Sequence, residues 1–182
     1  HKYIVDQGGP DHPNADVDFK CGDIVTTVSK CANGQTIMLS HDTNNPRPYS
    51  LNFRLQGTNG IWQKDAQSIY IEGISPESHR WENEDEYLNK YDHPLWKRFS
   101  DAENTISHTG HGGMDFFIVR AFIETLEGAD PVIDVYDAVS MSVIFPLSEK
   151  SIRLGSTAVK IPDFTRGQWE KNKPIFGLTA EY

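Results

Sequence analysis

Two histidines, His108 and His111, sit in the run Ser-His-Thr-Gly-His-Gly-Gly. An i, i+3 pair of imidazoles can hold a metal ion when a third ligand arrives from elsewhere, and Asp115 is the nearest acid. No cysteine lies close to them. The same residues also suit a glycine-rich entry to a helix, or a cleft at a helix N-terminus with His111 in its wall. No metal site is expected. A second group is His41-Asp42, followed across a proline-ordered loop by Arg47-Pro48-Tyr49. Tyrosine brings a hydroxyl and an aromatic face, and arginine a rigid fork of donors; sugars use both. Read locally, the plainer account is a turn with Arg47 in solvent and Tyr49 at a sheet edge.

Carboxylates pair at Asp134 with Asp137 and at Glu82 with Asp85. A two-carboxylate glycosidase needs such a pair at a set separation, but acids at the positive end of a helix explain both pairs more simply. Trp81, Tyr87, Tyr91, Trp96 and Trp169 suit either stacking on a sugar or a place in the core. No residue of the chain is assigned a catalytic role. No Gly-x-Gly-x-x-Gly follows a strand and opens a helix, and Walker and Gly-x-Ser-x-Gly sequences are absent. Gly110, Gly112 and Gly113 only imitate a nucleotide loop.

The composition sets the frame for these groups. The 182 residues carry 17 basic and 26 acidic side chains, a net charge of −9. Hydrophobic residues make up 37% and charged ones 24%, with a mean hydropathy of −0.53. This is globular composition, large enough for one full core. The acidic balance argues against nucleic acid as a partner. The longest apolar runs are far short of the roughly 18 residues that span a bilayer, so no membrane insertion is expected. Cys21 and Cys31 flank one extended stretch about 33 Å long, well beyond disulfide reach, and are expected to be free thiols. The chain starts at His1 with no signal pattern before it and reads as a mature product or an excised fragment.

Residues 1–19 read as a loop or extended lead-in, 20–170 as a single α+β domain and 171–182 as a tail, with Pro174 in it. Ile24 to Ser29 and Thr36 to Ser40 form a hairpin about Asn33-Gly34, the turn expected to place both residues at positive φ. Tyr49 to Gln56 alternates, with Leu51, Phe53 and Leu55 on one side. Ile61-Trp62 and Ser68 to Glu72 add strands, giving an antiparallel meander. Glu82 to Glu86 can open a helix whose buried side is Leu88 and Tyr91. Met114 to Glu127 reads as a helix through Phe116, Val119, Ile123 and Leu126, closed by Gly128. Asp134 to Phe145 is another, kinked or restarted at Pro146. Ala158 to Ile161 is a short strand. Strands first and helices second predict an α+β fold: an open, largely antiparallel β-sheet with helices packed on one face.

Taken in order, several segments look familiar: Lys-Cys-Ala-Asn-Gly-Gln-Thr-Ile-Met-Leu-Ser-His-Asp-Thr (30–43), Pro-Arg-Pro-Tyr-Ser (46–50), Tyr-Asp-His-Pro-Leu-Trp-Lys (91–97), Gly-His-Gly-Gly-Met-Asp-Phe (110–116), Ile-Asp-Val-Tyr-Asp-Ala (133–138), Pro-Leu-Ser-Glu-Lys-Ser-Ile (146–152) and Ile-Pro-Asp-Phe-Thr-Arg-Gly (161–167). They resemble the C-terminal half of Gfo/Idh/MocA-type oxidoreductases, most closely the glycoside hydrolase family 109 branch, the NAD-dependent α-N-acetylgalactosaminidases. The resemblance covers about residues 20–170. It implies a parent whose N-terminal Rossmann domain, absent from this chain, holds NAD; no cofactor is expected on this chain alone. It implies a carbohydrate substrate, contact with the parent's own Rossmann domain and a homo-oligomer formed through the sheet face. The implied chemistry is redox-assisted elimination. NAD takes a hydride from the sugar, the resulting ketone acidifies the neighbouring C–H, the glycosidic bond breaks, water adds and the hydride returns. Tyr49, in Arg-Pro-Tyr-Ser, matches a substrate-contacting tyrosine of the family; Arg47 and His111 belong to matching motifs. The family's Tyr-Pro-Thr-His motif has no counterpart here, so the fragment alone is expected to be inactive. The rival readings are a plain NAD(P)-dependent sugar or polyol dehydrogenase and a non-catalytic carbohydrate- or protein-binding domain. The resemblance leaves the bacterial compartment, cytoplasmic or periplasmic and exported, open.

Overall fold

A computed structural model describes residues 2–19, 22–42, 44–99, 106 and 108–171. The chain divides into two compact units, His1–Ser50 and Leu51–Tyr182. The fold class is α+β, with open antiparallel sheets.

The first unit begins with a helix, α1 (Lys2–Gly8), where a loop was expected. Gly9, at φ 80°, stops it, its N–H donating to the Val5 carbonyl at 2.9 Å. The hairpin follows as β1 (Ile24–Lys30) and β2 (Thr36–Asp42), antiparallel from Ile24 opposite Asp42 to Lys30 opposite Thr36. Its connection differs from expectation: Gly34 takes a positive φ of 94° and Asn33 does not. Cys31 N–H donates to Gln35 O and Gly34 N–H to Cys31 O. This is a three-residue loop, a type I turn closed by glycine in a bulge, which needs only one left-handed residue. Val28 and Met38 stand directly opposite and are 64% and 71% exposed. Cys31 is a free thiol; Cys21 lies outside the described residues.

The second unit opens with β3 (Arg54–Gln56), β4 (Gly60–Gln63), β5 (Ser68–Ile71) and β6 (Glu82–Asn83). They pair antiparallel in chain order. The expected meander is therefore two sheets, of two and four strands. The strand expected from Tyr49 keeps only its last three residues. Pro46 and Pro48, which have no N–H to give a ladder, precede the stretch that stays irregular. Leu51, Phe53 and Leu55 are exposed. No strand forms at 158–161.

The acidic run splits by role. Glu82 and Asn83 pair with Ile69 and Ser68 as β6, while Asp85 and Glu86 occupy the first turn of α2 (Asp85–Tyr91). Glu84 joins the two and is 2% exposed, the most buried charged residue among those described. Its carboxylate accepts from Trp62 Nε1 and, at 2.8 Å, from Lys64 Nζ, tying β4 and the turn after it to the start of α2. Leu88 and Tyr91, expected inside, are exposed.

His93-Pro94 ends α2 as expected, and His93 caps α3 (Pro94–Arg98), Nδ1 accepting from Leu95 N–H at 3.1 Å. The apolar cluster of this unit lies between α3 and α4 (Met114–Leu126). Leu95 and Ala121 are buried there against Phe99, Phe117 and Val132. Trp96 meets Phe117 edge-on at 4.8 Å, and Phe99 meets Phe116 and Phe117 at 5.4 and 5.7 Å. Such aromatic pairs add about 0.5–1.5 kcal/mol each beyond their burial. Of the periodic apolar positions on α4, Val119, Ile123 and Leu126 are exposed, and the inward side is Phe116, Phe117 and Ala121. Gly128, at φ 109°, follows its end.

Asp134 and Asp137 form a reciprocal capping box at the start of α5 (Val135–Ser142). After Val143 the chain restarts as α6 (Ile144–Arg153), with Pro146 in its first turn. Residues 172–182, with Pro174, lie outside the described residues.

Candidate functional site

Arg47 and Tyr49 share one loop of the first unit. Arg47 turns its fork back on that loop: Nη2 donates to Asp42 O at 2.9 Å and Nη1 to Ser50 O at 3.2 Å, while Nε stands 3.5 Å from the Asp42 carboxylate. Asp42 also accepts from the Asn45 backbone N–H and side-chain amide. Partial burial alone would raise the Asp42 pKa. The Asn45 hydrogen bonds and the Arg47 charge outweigh it and hold the carboxyl below its ordinary value. The loop is thus braced at both ends by Arg47, and Tyr49 projects from it 88% exposed. That is an unusual setting for a tyrosine, which normally buries its ring and leaves only the hydroxyl wet.

His111 belongs to the second unit, in a 3₁₀ turn (His111–Gly113) that runs directly into α4. Its Nδ1 lies 2.9 Å from Asp115 Oδ1, one helical turn on. Both side chains are exposed. Three consecutive residues are left-handed: His111 at φ 56°, Gly112 at 68° and Gly113 at 101°. Two of the glycines here also have close neighbours. A Cβ on Gly110 would overlap the Asp115 carboxylate, and one on Gly113 would stand 3.0 Å from Ile106 Cγ2 and 3.2 Å from its carbonyl oxygen. His108 is exposed. Among the described residues no three His, Cys, Asp or Glu side chains converge, and no helix is long and apolar enough to cross a membrane.

Beside the pair, a groove of about 540 Å³ runs along α4 between Phe116, Val119 and Ile123 on its floor and Asp115, Glu124 and Glu127 on its rim. Arg120 is held within it, 2.5 Å from Glu124 and with its guanidinium 5.0 Å over the Phe99 ring. The His111–Asp115 pair has a signal in the sequence, an i, i+4 spacing across a helix start. Glu84 carried no such signal, because its partners Trp62 and Lys64 are about twenty residues away.

The family model described as "Glycosyl hydrolase 109, C-terminal domain" matches residues 1–171. The chain is 50% identical over 184 residues to a "Glycosyl hydrolase family 109 protein" of Stenotrophomonas maltophilia, a match that takes in 100% of this chain and 40% of the relative. It is 50% identical over 179 residues to a protein of the same description from Parabacteroides distasonis, covering 98% of this chain and 38% of the relative. It is 49% identical over 179 residues to the "Alpha-N-acetylgalactosaminidase" of Tannerella forsythia, covering 98% and 37%. The chain spans about two-fifths of the length of these relatives.

Proposed function

This chain belongs to the glycosyl hydrolase 109 family as its C-terminal domain, and on that footing we propose that it is the sugar-facing part of a larger NAD-dependent glycosidase. The substrate is an α-N-acetylgalactosaminide or a closely related sugar, and the reaction is redox-assisted elimination. The substrate class is supported by the name of the Tannerella forsythia relative. The observation that carries the placement is Tyr49. A braced loop holds an aromatic face and a hydroxyl 88% exposed, free to stack on a sugar ring and to bond one of its hydroxyls. Arg47 serves that placement as a brace, its donors on the loop's own carbonyls. For His111, in the second unit, the proposal of substrate contact rests on its place in Gly-His-Gly-Gly-Met-Asp-Phe, one of the family-like segments.

No Gly-x-Gly-x-x-Gly follows a strand and opens a helix in this chain. In the proposal the cofactor belongs to a Rossmann domain of the full-length protein. The proposal extends to association through the sheet face, where Val28 and Met38 leave an apolar pair open to solvent.

The test is the full-length protein with NAD and p-nitrophenyl α-N-acetylgalactosaminide. Nitrophenol release without net build-up of NADH is the expected result, since the hydride returns in each turnover. Net NADH from a free sugar, without hydrolysis, would make the parent a dehydrogenase instead. Neither activity would leave a carbohydrate- or protein-binding domain.

A further inference from the structure

We infer that Asp115 is a positioning residue that fixes His111 with its proton on Nδ1, so that Nε2 presents a lone pair to a hydroxyl or acetamido N–H of the glycoside. The inference rests on the reading that His111 faces the sugar, and adds which of its ring atoms does so and what sets it.

The chemistry follows from the contact. Nδ1 is 2.9 Å from Asp115 Oδ1, and an ionised carboxylate can only accept, so the hydrogen between the two atoms belongs to the imidazole. In the neutral ring the other nitrogen is then an acceptor, and which partner holds one nitrogen decides the role of the other. Nε2 points away from the carboxylate, and among the described residues it has no recorded partner. An acceptor there selects a neutral donor on the ligand.

The backbone around the pair is arranged for this contact. His111 holds φ 56°, a conformation that a non-glycine residue adopts uncommonly, histidine being among the residues enriched there. Gly110 leaves the room that the Asp115 carboxylate occupies, and Gly113 lets the chain turn tightly past Ile106 into α4. A residue that only began the helix would need none of this. Arg120, the cation of the adjoining groove, pairs with Glu124 and lies over Phe99, so Asp115 has His111 as its recorded partner.

The experiment uses the full-length protein labelled with ¹⁵N-histidine. Long-range ¹H–¹⁵N correlation reads the tautomer of His111 without reference to activity, and kinetics on p-nitrophenyl α-N-acetylgalactosaminide read its consequence. The expected wild-type spectrum has Nδ1 protonated and Nε2 bare. Asp115→Asn, which can donate an amide N–H to Nδ1, moves the proton to Nε2 and lowers kcat/KM roughly ten- to hundredfold. Asp115→Glu recovers part of the loss, and the melting temperature does not follow it. His111→Asn, chosen because asparagine tolerates a left-handed backbone, gives a loss of similar size, and adding Asp115→Asn to it costs nothing more. A wild-type proton on Nε2, or full kcat/KM in Asp115→Asn, overturns the positioning role and leaves the glycosidase reading intact. The expected tautomer with full activity in His111→Asn removes His111 from the sugar site and overturns the inference with it. Absence of hydrolysis by the wild-type protein is the separate failure of the glycosidase reading.

Discussion

Tyr49→Ala in the full-length protein is expected to lower kcat/KM on an α-N-acetylgalactosaminide by roughly a hundredfold, and Tyr49→Phe by roughly tenfold. The first change removes both the stacking face and the hydroxyl, the second only the hydroxyl. Neither should alter stability beyond about 0.5 kcal/mol, because an exposed side chain away from caps, cores and buried networks contributes little to the fold. Tyr49 is 88% exposed, and the loop that carries it is braced by Arg47 rather than by its own ring. Steady-state kinetics beside thermal melts would show the split. Unchanged kcat/KM in Tyr49→Phe would remove the hydroxyl from the site, and unchanged kcat/KM in Tyr49→Ala would remove the residue.

Glu84→Ala is expected to do the opposite, costing stability rather than contact with substrate. Its carboxylate is buried and accepts from Trp62 Nε1 and Lys64 Nζ, and the main chain of Glu84 bonds Gln67 O through its N–H and Leu88 N–H through its carbonyl. Truncation leaves an indole N–H and an ammonium without their acceptor. Hydrogen bonds to a charged group contribute about 1.5–3 kcal/mol each. Because the Lys64 side chain is 48% exposed, its ion pair counts for less than a fully buried one. A loss of about 2–3 kcal/mol is expected, a fall in Tm of roughly 5–10 °C for a chain of this size. The contribution depends on pH. Burial pushes the Glu84 pKa up, but the hydrogen bonds from Lys64 and Trp62 and the Lys64 charge outweigh it and leave it lowered. A carboxyl whose pKa is lower folded than unfolded stabilises fully above the unfolded value, about 4.3, and loses that stabilisation as pH falls through the folded value. Melts of wild type and Glu84→Gln should therefore stand apart at neutral pH and draw together as pH falls below about 4.3. A constant difference across that range would contradict the assignment.

The parts of the fold that were legible in the sequence are those set by neighbours along the chain. The hairpin about Gly34, the helix after Gly113 with its stop before Gly128, the cap at His93-Pro94 and the capping box at Asp134 all follow from local chemistry. What failed depended on distant partners. Periodicity finds α4 through Phe116, Val119, Ile123 and Leu126, which repeat as regularly as a core stripe, but only Phe116 of these packs inward, against Phe99. Which side is buried is decided by Leu95 on α3 and Phe99 just after it, and these take Phe116, Phe117 and Ala121. The alternation from Tyr49 promises a strand, but cross-strand bonding begins only at Phe53, whose carbonyl accepts from Lys64 N–H. For the candidate site, motif order points to Tyr49 and His111, and contact with substrate is proposed for both. The donors of Arg47 close its own loop. His111 meets Asp115, the acid its spacing offers as a metal ligand, and among the described residues no third ligand joins them.

Calorimetry with NAD, run on this chain and on the full-length protein, tests the central claim most directly. The account predicts binding by the full-length protein and none by this chain, because no Gly-x-Gly-x-x-Gly follows a strand and opens a helix in residues 1–182. Binding of NAD by residues 1–182 alone would contradict it, and the Gly110–Gly113 loop would then be the first place to look for the phosphates.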